Sequence, residues 1–235
     1  MVRGTFSPAR AWRPAVGPAS AQTLGRTIGD HWLLTRQATA MRLLALTLIA
    51  TIPMVSLAGP FGLEAGVSLE GLTRQLKLKK EREYIYSTAD VPRPHSDFER
   101  YTLVVTPSHG LCKISAWSKE IRSNSFGTAI QSKFDELESA LSEKYGKVNR
   151  NDFLKSGSIW KEANYWMMAL YKEERYLASY WSPAADAQPF PDNIKAIELE
   201  AIALSTTIGV VALRYEFKDA SECLALLRKK RSDPL

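Results

Sequence analysis

Histidine and cysteine are scarce in this chain, three and two among 235 residues. A structural zinc site draws four ligands, mostly thiolate or imidazole, from those same residue types. No Cys-x-x-Cys pair, no Gly-x-Ser-x-Gly elbow and no glycine-rich phosphate loop occurs. Dithiol redox chemistry, elbow-type nucleophilic catalysis and phosphate cradling therefore lack their sequence signatures. Apolar runs are short as well. A membrane-spanning helix needs about 20 consecutive apolar residues, and the longest run here, from Leu43 to Ile52, is stopped by Pro53 and then by Gly59-Pro60.

That run has a layout of its own. Arg42 precedes it, and Ser56-Leu57-Ala58 closes it with small residues at −3 and −1 of a cleavage point after Ala58. These are the charged, apolar and cleavage regions of a secretory signal, in order. A core helix or an uncleaved anchor are the competing readings. Only Thr47 and Thr51 interrupt the run, fewer polar positions than a core helix carries. Residues 41–58 are expected to be a signal peptide. Residues 1–40 hold five arginines, no lysine and the single acid Asp30. They read as a non-domain leader: either an over-long start with Met41 as the true initiator, or an organelle transit segment.

This division changes the charge argument. The whole chain is +6, but residues 1–58 carry six arginines and one acid, leaving 25 basic against 24 acidic residues in 59–235. A near-neutral body gives nucleic acid no electrostatic footprint, and the lone basic run Arg228-Lys229-Lys230-Arg231 reads as complementing the end of a helix. The expected product is an exported body of 177 residues, periplasmic or secreted, with no integral span once the signal is removed. That length suffices for one sizeable core. In an oxidising compartment its two cysteines, Cys112 and Cys223, suggest one disulfide.

Periodicity outlines the body. Ser68 caps a helix over 69–78, and 84–86 is a short strand. Residues 101–106 and 111–118 alternate as a hairpin around Pro107-Ser108-His109-Gly110. Ile130, Phe134, Leu137, Leu141 and Tyr145 mark the clearest helix, stopped by Gly146. A helix over 162–173 and a strand over 175–182 share an aromatic-dense segment. A second hairpin, 195–205 with 210–217, precedes a last helix carrying Cys223. Its first strand is apolar at Ile197, Leu199 and Ala201 but then at Ile202 and Leu204, which predicts a bulge or burial on both faces near Ile202. The fold class is α+β, an antiparallel sheet packed with helices. Element order suggests two α-β-β-β-α units, 68–146 and 162–231.

Gly66-x-Ser68-Leu69-x-x-Leu72 resembles the first helix of outer-membrane assembly lipoproteins of the BamE type, over fewer than ten residues and without a lipid-accepting cysteine. Pro60-Phe61-Gly62-Leu63, Gly110-Leu111-Cys112-Lys113-Ile114 and Ser156-Gly157-Ser158-Ile159-Trp160 resemble an uncharacterised family of bacterial exported proteins. That resemblance implies export and supplies no active-site residue.

Candidate chemistry is thin. His95, Asp97 and Glu99 alternate as metal ligands would on a strand, but two prolines upstream place them in a loop. Ser108-His109 lies in a turn. Glu198 and Glu200 share a strand face and suit either a glycosidase pair or a wet outer surface. The aromatic segment offers a binding surface of Trp160, Tyr165, Trp166, Tyr180 and Trp181, the alternative being that these rings fill the core. No catalytic residue, metal ligand or cofactor is assigned. The expectation is a soluble binding or interaction protein of the cell envelope, partnered by an unknown protein or envelope ligand. An envelope hydrolase with a non-contiguous carboxylate/His site, or a structural envelope component, is the alternative.

Overall fold

The computed structural model describes residues 59–183 and 188–232, with side chains to 229. The expected leader and signal, 1–58, lie outside the described residues.

Among the described residues, nine strands form one antiparallel sheet. In chain order they are β1 (Lys79–Arg82), β2 (Ile85–Thr88), β3 (Phe98–Thr106), β4 (Gly110–Ser118), β5 (Ile121–Arg122), β6 (Asn149–Leu154), β7 (Arg175–Trp181), β8 (Ile194–Ala203) and β9 (Ile208–Phe217). Across the sheet the order is β1-β2-β3-β4-β9-β8-β7-β6, with β5 pairing separately onto β9. Four α-helices accompany it: α1 (Leu69–Thr73), α2 (Thr128–Tyr145), α3 (Trp166–Tyr171) and α4 (Ala220–Ser232). The α+β antiparallel architecture expected from the sequence is the one observed.

Side-chain alternation gives the sheet two unlike faces. One carries Tyr101, Leu103 and Val105 of β3, Ile114 and Ala116 of β4, Val211, Leu213, Tyr215 and Phe217 of β9, and Ile197, Leu199 and Ala201 of β8, all buried in one core. Helix α2 lies on this face and inserts Ile130, Phe134, Leu137, Leu141 and Tyr145 at helical spacing. Each fully buried apolar side chain of this kind contributes about 1.5–3 kcal/mol. The helix is anchored at its start without a cap at Gly127 itself. Asn124 Oδ1 accepts the Thr128 N–H at 3.2 Å and Ser123 Oγ accepts that of Ala129 at 3.2 Å. Gly127, at φ +73, sits under the Trp166 ring, and any Cβ there would overlap it. Gly146 ends the helix as expected, at φ +83.

The opposite face carries the second helix contact. Val104 and Cys112 meet Cys223 and Leu227 of α4 there. Cys112 and Cys223 stand at disulfide distance, Cα to Cα 6.5 Å, at a sequence separation of 111. Closing so long a loop is worth about 4–5 kcal/mol in the chain-entropy account.

The boundaries differ from the expectation in several places. The helix over 69–78 is only five residues long. The helix over 162–173 is a 3-10 turn, Ala163–Tyr165, followed by Trp166–Tyr171. Strands β1 and β6 were not expected. The second hairpin has its irregularity between Ile194 and Ala196, and pairing is regular from Ala196 to Ala203. Leu204 is therefore no core residue; it lies in the turn and is 49% exposed. The two halves of the chain do meet at the β4–β9 seam, with β2-β3-β4 beside β9-β8-β7. A two-fold through that seam would put α2 and α4 on the same face, yet they cover opposite faces.

Candidate functional site

Among the described residues α2 packs on one face, and α4 meets the other at Val104 and Cys112 and, through Ser221, at Lys195, so much of that second face has no described helix over it. Its residues are fixed by register. Thr102 stands opposite Ser115, Ser115 opposite Arg214, Arg214 opposite Glu198, and Glu198 opposite Tyr180. One row of side chains thus runs across five strands, β3 to β7, that are far apart in sequence.

Within and beside this row the groups are tied together. Arg214 binds Glu200 at 2.6 Å and Glu198 at 3.1 Å through the same nitrogen. Tyr180 donates to Glu198 Oε1 at 3.1 Å, and its hydroxyl lies 2.6 Å from that of Tyr176. Trp117 donates through Nε1 to Thr102 Oγ1 at 3.1 Å. Its ring lies between two guanidinium groups, 5.3 Å from Arg100 and 5.8 Å from Arg214. Lys113 and Glu216 pair at 2.7 Å in the row beyond. At the β6 end Phe153, half exposed, leans on Tyr176. Ala212 and Ala178 are the small residues between these larger groups, and neither is exposed.

The electrostatics fix the charge states of Arg214 and Tyr180. Burial alone would lower the Arg214 pKa, but the charges of Glu198 and Glu200 outweigh it and raise it. Burial, then the Tyr176 hydrogen bond and the Glu198 charge, hold the Tyr180 hydroxyl neutral far beyond the usual tyrosine range. The result is a preorganised surface of aromatic rings, neutral hydroxyls and paired charges. Such groups recognise a partner by stacking and hydrogen bonding, with little side-chain freedom left to lose on association.

The five aromatic residues expected as one surface are divided. Trp166 and Trp181 are buried core residues, packed on the α2 side of the sheet. Their length and apolar area fill the gap between α2, α3 and the strands, which is why they do not reach solvent. Trp160 and Tyr165 stack on each other at 5.4 Å, and Tyr165 is exposed. Tyr180 alone belongs to the open face. The residues of that face which sequence reasoning missed are Trp117, Arg100, Arg214 and Thr102.

The other candidates fall in separate places. Glu198 and Glu200 share the open face, as their spacing requires. The Arg214 guanidinium lies between them, where a glycosidase pair keeps room for the scissile bond. Ser108 Oγ lies 2.8 Å from His109 Nδ1 in the exposed β3–β4 turn. His95 Nδ1 accepts the Asp97 N–H at 3.3 Å, and Asp97 pairs with Lys133 at 3.3 Å. Among the described residues no group of three or more His, Cys, Asp or Glu is placed to hold a metal, and no helix is long and apolar enough to cross a membrane.

No protein-family description, curated protein or solved structure matches this chain.

Proposed function

We propose that the chain is an exported binding or interaction protein of the cell envelope, and that the open face of its sheet is the recognition surface. The observation that carries this reading is Trp117, held between Arg100 and Arg214 on a sheet face that α2 and α3 leave uncovered. A polar, half-buried sheet face needs no tryptophan for folding, since its strands are stabilised by pairing and by the core behind them. A large ring fixed there by a hydrogen bond and two cations resembles the anchors that dominate interface energetics. Export is supported by the signal layout of residues 41–58 and by the cysteine pair at disulfide distance.

Photo-cross-linking in living cells tests both parts. A benzoyl-phenylalanine placed at Ser115 or Glu200 on the open face is expected to give discrete adducts, and one placed at Ser132 or Ser139 on the solvent side of α2 is not. The recovered protein is expected to begin at Gly59 by intact mass. Equal adducts from both sides of the molecule, or none from the open face, would remove the surface from consideration. A mass that retains residues 41–58 would remove export.

A further inference from the structure

The covered side of the sheet is not closed throughout. Near the C-terminal half of α2, exposed Ala140 is too short to reach the loop that runs from Arg93 to Phe98. A cavity of about 290 Å³ opens there. Its floor is apolar: Leu137 and Leu141 of α2, Phe98, Leu213 and the ring of Tyr215, all buried. Its remaining wall is Phe61. That residue holds a left-handed backbone, φ +58, which a residue with a Cβ rarely adopts. Its carbonyl accepts the Arg93 N–H at 3.0 Å, and its ring meets Tyr101, Phe98 and Tyr215 at 4.9, 5.8 and 5.9 Å. Backbone strain maintained by surrounding contacts is a mark of binding walls.

The mouth differs from the floor. Arg93, His95 and Lys144 line it, all exposed, from two separate elements. No carboxylate lines the cavity. Asp97, beside the lining residues His95 and Phe98 in sequence, is already shared between His95 and Lys133, and Lys133 also binds Glu136. Arg93 and Lys144 form no ion pair with any described residue; Lys144 only overlies the Tyr145 ring at 5.0 Å.

We propose that this cavity binds a medium-chain alkyl carboxylate, with the chain against Leu137, Leu141, Phe61 and Phe98 and the headgroup between Arg93 and Lys144. The size agrees: at about 30 Å³ for each water- or methylene-sized group, the space holds about ten non-hydrogen atoms. The polarity agrees too, since an apolar body with one anionic end is what an apolar floor selects under two cations that no described carboxylate pairs with. The site lies on the opposite side of the sheet from Trp117 and stands or falls separately from the proposed recognition surface.

Isothermal titration of the protein with octanoate is the test, with 1-octanol as the neutral analogue. Saturable octanoate binding below about 1 mM is expected, with 1-octanol at least about tenfold weaker because it cannot pair with the cations. Arg93→Gln with Lys144→Gln should remove that preference, bringing octanoate and 1-octanol to similar affinities. Ala140→Phe fills the opening from an exposed helix position and should abolish binding of both, with thermal unfolding unchanged as the control for folding. Absence of saturable binding, equal affinity for the two probes in the unaltered protein, or undiminished octanoate binding in a folded Ala140→Phe variant would each overturn the proposal.

Discussion

The two faces of the sheet are built from the same strands and differ in nearly everything else. On β8, Ile197 and Leu199 face α2 and are buried, whereas Glu198 and Glu200, alternating with them, face outward and meet Arg214. On β9, Leu213 and Tyr215 flank Arg214 in the same way. The covered face gains its stability from area removed from water, a contribution that does not depend on exact partners. The open face gains little from area and instead holds charges and hydroxyls in specific pairs. In this fold strand parity therefore separates the stabilising core from the face proposed for recognition.

The largest contrast should appear in a matched pair of tryptophans. Trp181→Ala, in the core, is expected to cost about 3–5 kcal/mol by urea unfolding. Trp117→Ala, on the open face, should cost under about 1 kcal/mol, as surface changes do, while lowering the cross-linking yield at Ser115. A Trp117→Ala loss as large as that of Trp181→Ala would make the open face part of the structural core.

The cysteine pair comes next, because it clamps a helix onto the second face: Cys223 fixes α4 against Cys112 on the side of the sheet away from α2. Cys112→Ala with Cys223→Ala should cost about 2–5 kcal/mol. Reductant should bring the unaltered protein to the same midpoint and leave the double variant unmoved. If reductant has no effect on the unaltered protein, the clamp is not closed in solution.

A smaller effect concerns tyrosine protons. Burial raises the pKa of Tyr101 against the weaker pull of the His95 main chain, and burial with the neighbouring Tyr145 raises that of Tyr215. In the unfolded chain these hydroxyls ionise near pH 10, whereas the folded protein retains their protons. The folded state then binds more protons than the unfolded one, so stability is unaffected below about pH 10 and falls as pH rises above it. Lys133, its pKa raised mainly by Glu136, acts in the same direction. The melting temperature should decline steeply above about pH 10 and less steeply in Tyr215→Phe.

The covered face could be read in advance because its signal is local. Ile130 through Tyr145 repeat at helical spacing, and the two hairpins alternate around their turns. Cys112 and Cys223 are both buried, but a register shift between Val104 and Val105 turns Cys112 to the face opposite Ile114 and Ala116, where simple alternation along 111–118 places all three together. The edges carried no such signal. Strand β1 is Lys-Lys-Glu-Arg with every residue exposed, and β6 is nearly as polar; both are held by backbone pairing, which leaves no mark on side-chain type. The open face stayed hidden for another reason. Trp117 meets Arg214 only because β4 lies beside β9, a pairing across about a hundred residues that periodicity cannot specify. The aromatic-dense segment misled through composition. Tryptophan suits cores and interfaces equally, and the position of α3 sends Trp166 and Trp181 inward.

An alanine scan along four consecutive residues of β8 measures the division between faces most directly. By urea unfolding, Ile197→Ala and Leu199→Ala should each lose about 2–5 kcal/mol. Glu198→Ala and Glu200→Ala should each lose under about 1 kcal/mol, since Arg214 keeps one carboxylate in either variant. Losses that fail to alternate, or that are larger at the two glutamates, would contradict the account.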